Sequence, residues 1–127
     1  MKKFLQSRLQ SFYYAFNGWS YVLRNEPNSW IHTAISTMVI LLGFWLRLPT
    51  RDWATLLLAI VMVWVAEFFN TAIESIVDLA SPEQNPLAKA GKDVGAAAVL
   101  IAALTSVLIG LLILGPPLWM KLVEIFN

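Results

Sequence analysis

Long uncharged stretches divide the chain into segments of membrane-spanning length. Between Asp93 and Lys121 lie 27 residues without a charge, and about 20 apolar residues in a helix cross the hydrocarbon core of a bilayer. Another apolar run extends from Trp30 to Leu46. One more runs from Trp53 to Ala66 and continues with spaced polar residues. The pattern therefore predicts three transmembrane helices, at 30–48, 53–79 and 92–115.

The two ends of the chain have a different pattern. In residues 4–24, large apolar side chains recur at helical spacing beside polar ones, which predicts an amphipathic helix on the membrane surface. A helix packed against the bundle would give the same pattern. Because polar residues interrupt this segment, we do not expect a signal peptide. Pro116–Pro117 are expected to end the third span, with 119–127 as a short interfacial tail.

Composition places the chain outside the class of soluble domains. Of its 127 residues, 58% are hydrophobic and 13% are charged, against about 45–50% and about 25% in soluble domains. This excludes a small soluble enzyme, and the absence of cysteine excludes disulfides, thiolate zinc sites and a cysteine nucleophile. Gly91, Gly95 and Gly110 give the third span a small-residue face for helix packing. We predict a single all-α integral membrane domain.

The basic residues predict the orientation of this domain. With three spans, the N-terminus and the loop at 80–92 lie on one side of the membrane with six basic residues, and the other side has three. Because basic residues are enriched in cytoplasmic segments, the N-terminus is predicted to be cytoplasmic. The six are Lys2, Lys3, Arg8, Arg24, Lys89 and Lys92, and the three are Arg47, Arg51 and Lys121.

One face of the second span carries a row of polar side chains. At 100° per residue, four side chains project within a stripe about 80° wide. Ionised acids at a membrane are costly unless a cation binds them. The stripe therefore indicates a cation-binding site, or acids that pair with basic residues to hold a bundle together. The polar stripe comprises Glu67, Asn70, Glu74 and Asp78.

Depth in the membrane brings further polar residues to the same place. Glu67 follows Arg51 by 16 residues, about 24 Å along a helix, which puts it just beneath the cytoplasmic interface of a core about 30 Å thick. The same count from Arg47 ends at His32, interpreted as an interfacial or packing residue. The groups expected to converge are Glu26, Glu67, Asn70, Glu74, Asp78, Lys92 and Asp93.

These residue types suit phosphoryl transfer. Carboxylate and amide oxygens without cysteine are ligands for Mg²⁺ rather than zinc. Lys92, near a helix N-terminus, can bind phosphate, and a carboxylate can act as general base. Metal, phosphate clamp and base are what phosphoryl transfer needs. Two alternatives remain open: a non-enzymatic subunit whose acids hold a bundle or conduct cations, and a divalent-cation binder without transfer chemistry.

Two motifs carry a resemblance to a known family. Glu67–Asp78 has the pattern E-x-x-N-T-A-I-E-x-x-V-D, and Ala88–Leu100 has the sequence A-K-A-G-K-D-V-G-A-A-A-V-L. Together they resemble the prokaryotic diacylglycerol kinase family, over about residues 8–115. Gly18 and Glu26–His32 are similar to the undecaprenol kinase branch.

The resemblance implies a lipid kinase of the bacterial inner membrane. Members of the family have a surface helix and three transmembrane helices, assemble as homotrimers, and transfer the γ-phosphate of Mg-ATP to a lipid hydroxyl at the cytoplasmic face. Undecaprenol is the expected acceptor, with diacylglycerol as the alternative. No nucleic-acid partner is expected.

The same resemblance implies residue roles. Glu67 would be the general base, Asn70 would orient the reacting groups, and Glu26 and Glu74 would hold Mg²⁺. The expected ATP-binding residues are Tyr14, Glu26, Glu74, Glu83, Gln84, Asn85, Lys92 and Asp93. The residues expected to contact the lipid are Ser11, Phe12, Ala15, Phe16 and Glu67.

Overall fold

The fold is built from four helices. The computed structural model describes residues 1–81 and 85–126, and that part of the chain contains helices and no strand. The predicted all-α fold class is confirmed. In chain order the helices are α1 (Lys2–Asn25), α2 (Pro27–Trp45), α3 (Thr50–Ala80) and α4 (Pro86–Phe126).

Two of the described helices, α3 and α4, are long and apolar enough to cross a membrane. Their 31 and 41 residues correspond to about 46 Å and about 62 Å, so both extend beyond a hydrocarbon core about 30 Å thick. Only 39% of the most apolar window of α3 and 11% of that of α4 are buried within the chain. Helices this apolar and this exposed suit a protein that sits in a membrane. The 19-residue α2 contains polar residues in its first turns, and its span stays a prediction.

α3 and α4 pack along much of their length as an antiparallel pair. Asn70 of α3 meets Gly95 of α4, and eleven residues earlier on α3 the carbonyl of Ala59 accepts a 2.9 Å hydrogen bond from Ser106 Oγ. Small residues at these contacts let the two backbones approach closely. Gly91 and Gly110, predicted to share this face, have open space beside them within the described chain.

α1 and α2 make fewer contacts with the other helices. The side chain of Trp19 in α1 packs on Trp64 and on Phe68 of α3, with ring centroids 4.8 Å apart in both cases. The large apolar side chains in the first half of α1 are exposed. α1 is therefore attached to α3 through its C-terminal half, and its position on a membrane surface stays a prediction.

Pro116 and Pro117 do not end the helix that contains the predicted last span. α4 continues through Pro116 and Pro117 to Phe126, so residues 119–126 extend the helix instead of forming a separate tail, and Asn127 lies outside the described residues. Each proline removes one backbone N–H, which leaves the carbonyls of Leu112 and Ile113 without their usual donors. Membrane helices tolerate such interruptions when other groups satisfy the freed carbonyls.

A Schellman motif ends α2 before the turn into α3. The N–H of Leu48 donates to the carbonyl of Gly43, and the N–H of Arg47 donates to that of Phe44, the hydrogen bonds that define this motif. Arg47 has a φ of 55°, in the left-handed region that glycine adopts without penalty. Leu48 is buried and joins a core cluster with Leu56 of α3. The motif thus sets how α2 is joined to the pair of α3 and α4.

We expect Arg47→Gly to stabilise the protein. Relief of the left-handed backbone strain outweighs the extra entropy of a glycine in the unfolded chain, with a net gain of about 0.5–1 kcal/mol. Arg51→Gly is the matched control, because Arg51 lies in the first turn of α3 and glycine there costs about 0.5–1 kcal/mol. Thermal unfolding in detergent measures both, and a lower melting temperature for Arg47→Gly would contradict the expectation.

Candidate active site

The N-terminal part of the polar stripe is buried between helices. Glu67 is 1% exposed and Asn70 is 8% exposed, and Thr71 beside them is also buried. Residues three and four apart lie on one helix face, and this face of α3 is covered by other helices of the chain. The Thr71 hydroxyl donates to the backbone carbonyl of Glu67 at 3.0 Å. These polar side chains are therefore held between helices, away from water.

Glu67 faces His32 of α2. Its Oε2 atom lies 3.8 Å from His32 Nε2, too far for a hydrogen bond. Both atoms are buried, and neither has a hydrogen-bond partner among the residues that the structure describes. The ring of Trp64 packs against that of His32, with centroids 6.2 Å apart. A carboxylate oxygen at this position is free to accept a proton or a hydrogen bond.

Asn70 links the buried part of the stripe to the next acid. Its Nδ2 donates to Glu74 Oε1 at 2.9 Å. Its Oδ1 is buried against Gly95 of α4 and has no partner in the described chain. A methyl group at position 95 would collide with this oxygen, so glycine is required for Asn70 to keep its orientation.

The exposed end of the stripe pairs with a lysine of α4. Lys92 Nζ of α4 donates to both carboxylate oxygens of Asp78, at 2.9 and 3.2 Å. Asp93 faces away from this pair and forms an ion pair with Lys89 one turn earlier on α4. Lys92 therefore joins the stripe through Asp78, whereas Asp93 lies beside it on the helix surface.

Glu26 approaches the same site from the junction of α1 and α2. It ends α1 and precedes α2, and its backbone carbonyl accepts a 2.6 Å hydrogen bond from the hydroxyl of Ser29, which is fully buried. The charges of Glu26 and Glu74 act both on Glu67 and on Lys92. The predicted convergence of acids and a lysine at one end of the bundle is thus supported by the electrostatics of the fold.

Several residues with expected roles lie elsewhere. The residues of α1 expected to contact lipid or nucleotide are exposed, and none makes a hydrogen bond or ring contact with the stripe in the described chain. Asn85 accepts a hydrogen bond from the N–H of Leu87 at 2.8 Å, a contact that caps α4. Glu83 and Gln84 lie outside the described residues. The exposed residues of α1 are Ser11, Phe12, Tyr14, Ala15 and Phe16.

The family follows from a match over most of the chain. The family model for prokaryotic diacylglycerol kinase matches residues 13–114. The chain belongs to this family. As a member it is a lipid kinase, and the polar stripe with Lys92 is its candidate active site.

Relatives of this kinase carry two different names. The chain is 40% identical to the undecaprenol kinase of Bacillus subtilis over 86% of its own length and 89% of the relative. It is 41% identical to the diacylglycerol kinase of Synechocystis over 87% of its own length and 63% of the relative. Identity to the diacylglycerol kinase of Escherichia coli K12 is 32% over 56% of the chain and 58% of the relative.

The donor set fits a magnesium ion better than any softer metal. The acids Glu26 and Glu74 offer hard oxygen ligands. In the described chain, no three acidic or histidine side chains are close enough to hold a metal by themselves. Kinase sites usually bind Mg²⁺ through one or two carboxylates and the phosphates of the nucleotide. Two carboxylates at the end of the bundle that carries Lys92 fit that requirement.

Two residues of the site had no role in the sequence-based interpretation. His32 was interpreted as interfacial or packing, although its depth matched that of Glu67. Gly95 was expected only to aid helix packing, yet it fixes the position of a site residue. The rotation of α2 about its axis and the register of α4 against α3 decide both contacts, and neither can be obtained from periodicity in one segment.

We expect Gly95→Ala to lower the lipid kinase activity on the order of tenfold to a hundredfold, because a displaced Asn70 would misplace the groups that it orients. Gly110→Ala is the matched control, since a methyl group there meets nothing within 4 Å. Initial rates with labelled ATP in mixed micelles measure the effect. Equal rates for the two variants would show that Asn70 does not depend on Gly95.

Proposed function

We propose that this lipid kinase transfers the γ-phosphate of Mg-ATP to the hydroxyl of undecaprenol. The observation that carries the proposal is the buried Glu67 carboxylate, whose Oε2 lacks a hydrogen-bond partner among the described residues, on the stripe that ends at Asp78, the partner of Lys92. The acceptor is inferred from the Bacillus subtilis undecaprenol kinase, of which the chain covers 89%, against 63% of the Synechocystis diacylglycerol kinase.

Glu67 is the general base of the proposed reaction. Its carboxylate takes the proton of the lipid hydroxyl as the lipid oxygen forms a bond with the γ-phosphorus. The bond between the γ-phosphorus and the bridging oxygen breaks, and ADP leaves with that oxygen. Because Glu67 is 1% exposed, water does not compete with the lipid hydroxyl for its proton-accepting oxygen.

The other groups of the site would hold the nucleotide. Glu26 and Glu74 would bind Mg²⁺, which would neutralise negative charge on the phosphates. Asn70, held by its hydrogen bond to Glu74, orients the reacting groups. Lys92 binds phosphate once it exchanges Asp78 for the nucleotide, an exchange favoured by the small stability of exposed ion pairs.

The remaining contacts are proposed from the family resemblance. The residues proposed to complete ATP binding are Tyr14, Glu83, Gln84, Asn85 and Asp93, and those proposed to border the lipid are Ser11, Phe12, Ala15 and Phe16. The side chain of Trp19 packs on Trp64 and Phe68, on either side of Glu67 in the sequence. This contact supports a path for lipid along α1 to the base.

We also propose that α2 crosses the membrane with α3 and α4 and that three copies assemble. The exposed apolar surface of α4, with 11% of its most apolar window buried, supports an environment of lipid and neighbouring subunits. The active site would then lie at the cytoplasmic face of the bacterial inner membrane, on the same side as the N-terminus.

Glu67→Gln tests the role of the base. The amide keeps the size of the side chain and cannot accept the proton, so we expect kcat to fall at least on the order of 10²-fold while ATP binding and folding persist. Glu124→Gln is the matched control, because Glu124 pairs with Lys121 at the exposed end of α4. A Glu67→Gln variant with the wild-type rate would contradict the proposal.

The acceptor is tested by offering undecaprenol and diacylglycerol separately, with γ-labelled ATP and Mg²⁺ in mixed micelles. We expect label in the organic phase with both lipids and a higher kcat/KM with undecaprenol. A higher value for diacylglycerol would reverse the assignment of the acceptor. Folded protein that transfers no label to either lipid and binds no ATP would instead support the non-enzymatic bundle or the cation binder.

A further inference from the structure

We infer that His32 is the positioning residue for the base. Its Nε2–H holds one carboxylate oxygen of Glu67, so that the other oxygen faces the lipid hydroxyl. The inference rests on the proposed role of Glu67 and adds a group from α2, which packs against the stripe on α3.

Two orphaned polar atoms that face each other carry the inference. Glu67 Oε2 and His32 Nε2 are 3.8 Å apart, and both are buried without a hydrogen-bond partner in the described chain. Leaving either atom unpaired away from water is costly. An ionised carboxylate only accepts, and an imidazole nitrogen that carries a hydrogen donates. The two atoms are therefore complementary.

A small movement would make the bond. Charge-assisted N–H···O hydrogen bonds are about 2.7–2.9 Å long, so an approach of about 1 Å completes this one. Catalytic hydrogen bonds are often long without substrate and shorten when substrate binds. We expect the His32–Glu67 bond to form when the lipid hydroxyl fixes the other carboxylate oxygen.

The other nearby donors of the described chain already have acceptors. The Thr71 hydroxyl donates to the backbone carbonyl of Glu67, and Asn70 Nδ2 donates to Glu74. Lys92 donates to both oxygens of Asp78. Among these donors and His32, only Nε2 of His32 is left to hold the Glu67 carboxylate.

Aromatic packing sets the position of the His32 ring. The ring of Trp64 packs edge-on against the His32 ring, and the ring of Trp19 in α1 packs in turn against Trp64. One turn earlier in α2, buried Ser29 is bound to the Glu26 carbonyl, and its own carbonyl accepts from Thr33 Oγ1 at 2.8 Å. A ring held in this way can position a carboxylate with little loss of side-chain entropy.

The alternative role of His32 is packing alone, and three matched variants separate the two roles. His32→Phe keeps an aromatic ring against Trp64 and removes the N–H. His32→Gln removes the ring and puts an amide N–H near the former Nε2 position. His32→Asn keeps an amide that is too short to extend to Glu67.

We expect His32→Phe and His32→Asn to lower kcat at least about tenfold, with the KM for ATP unchanged, because the loss of a positioning contact affects the reacting group and not nucleotide binding. His32→Gln should recover most of the wild-type kcat. A His32→Phe variant with the wild-type kcat overturns the inference. So does a folded His32→Gln variant that is as slow as His32→Asn.

An infrared measurement tests the inference without turnover. The carboxyl stretching band of Glu67 is measured with undecaprenol bound and without ATP, and it is assigned by its loss in Glu67→Gln. We expect this band to shift in His32→Phe and to return towards its wild-type position in His32→Gln. An unshifted band in His32→Phe overturns the inference even if no lipid is phosphorylated. Absence of phosphorylation by the wild type contradicts the proposed function. A band shift between the wild type and His32→Phe would still support the contact.

Discussion

The site depends on the burial of one carboxylate, that of Glu67. Glu67 is 1% exposed and follows an uncharged stretch of its helix from Trp53 to Ala66, and an ionised carboxylate in such a place is costly unless its neighbours compensate for lost hydration. In the described chain Oε2 of this carboxylate has no hydrogen-bond partner. The groups around it come from three other helices: His32 on α2, Gly95 on α4, which makes room for Asn70, and Trp19 on α1, which packs on the flanking rings. Each helix of the chain therefore contributes a contact at or near this residue.

The antiparallel pairing of α3 and α4 transmits this constraint along the molecule. The contacts of Asn70 with Gly95 and of Ala59 with Ser106 follow one register. A shift of this register by one residue would put a side chain against Asn70 Oδ1 and would separate Lys92 from Asp78. Packing deep in the apolar part of the pair thus determines where Lys92 lies.

The sequence was sufficient for whatever depends on one helix at a time. Periodicity placed Glu67, Asn70, Glu74 and Asp78 on one face, and charge spacing put Glu26 and Lys92 at the same depth. It failed where two segments must be combined. Depth alone put His32 level with Glu67, but the rotation of α2 decides that the ring faces the carboxylate. Proline was expected to end the last span because a soluble helix would lose two hydrogen bonds there, yet α4 continues past both prolines.

Exposure changes steadily along the stripe, and this gradient fits the two substrates of a lipid kinase. Glu67 is 1% exposed, whereas the side chains of Lys92 and Asp78 are 36% and 66% exposed. A nucleotide arrives from water and needs a cation that it can contact there, while a lipid hydroxyl arrives from the bilayer and needs a base that water does not protonate. Asn70 and Glu74 span the distance between these ends through one hydrogen bond. A single helix face that passes from buried to exposed residues can therefore bring a water-soluble phosphate donor and a membrane-bound acceptor to adjacent positions.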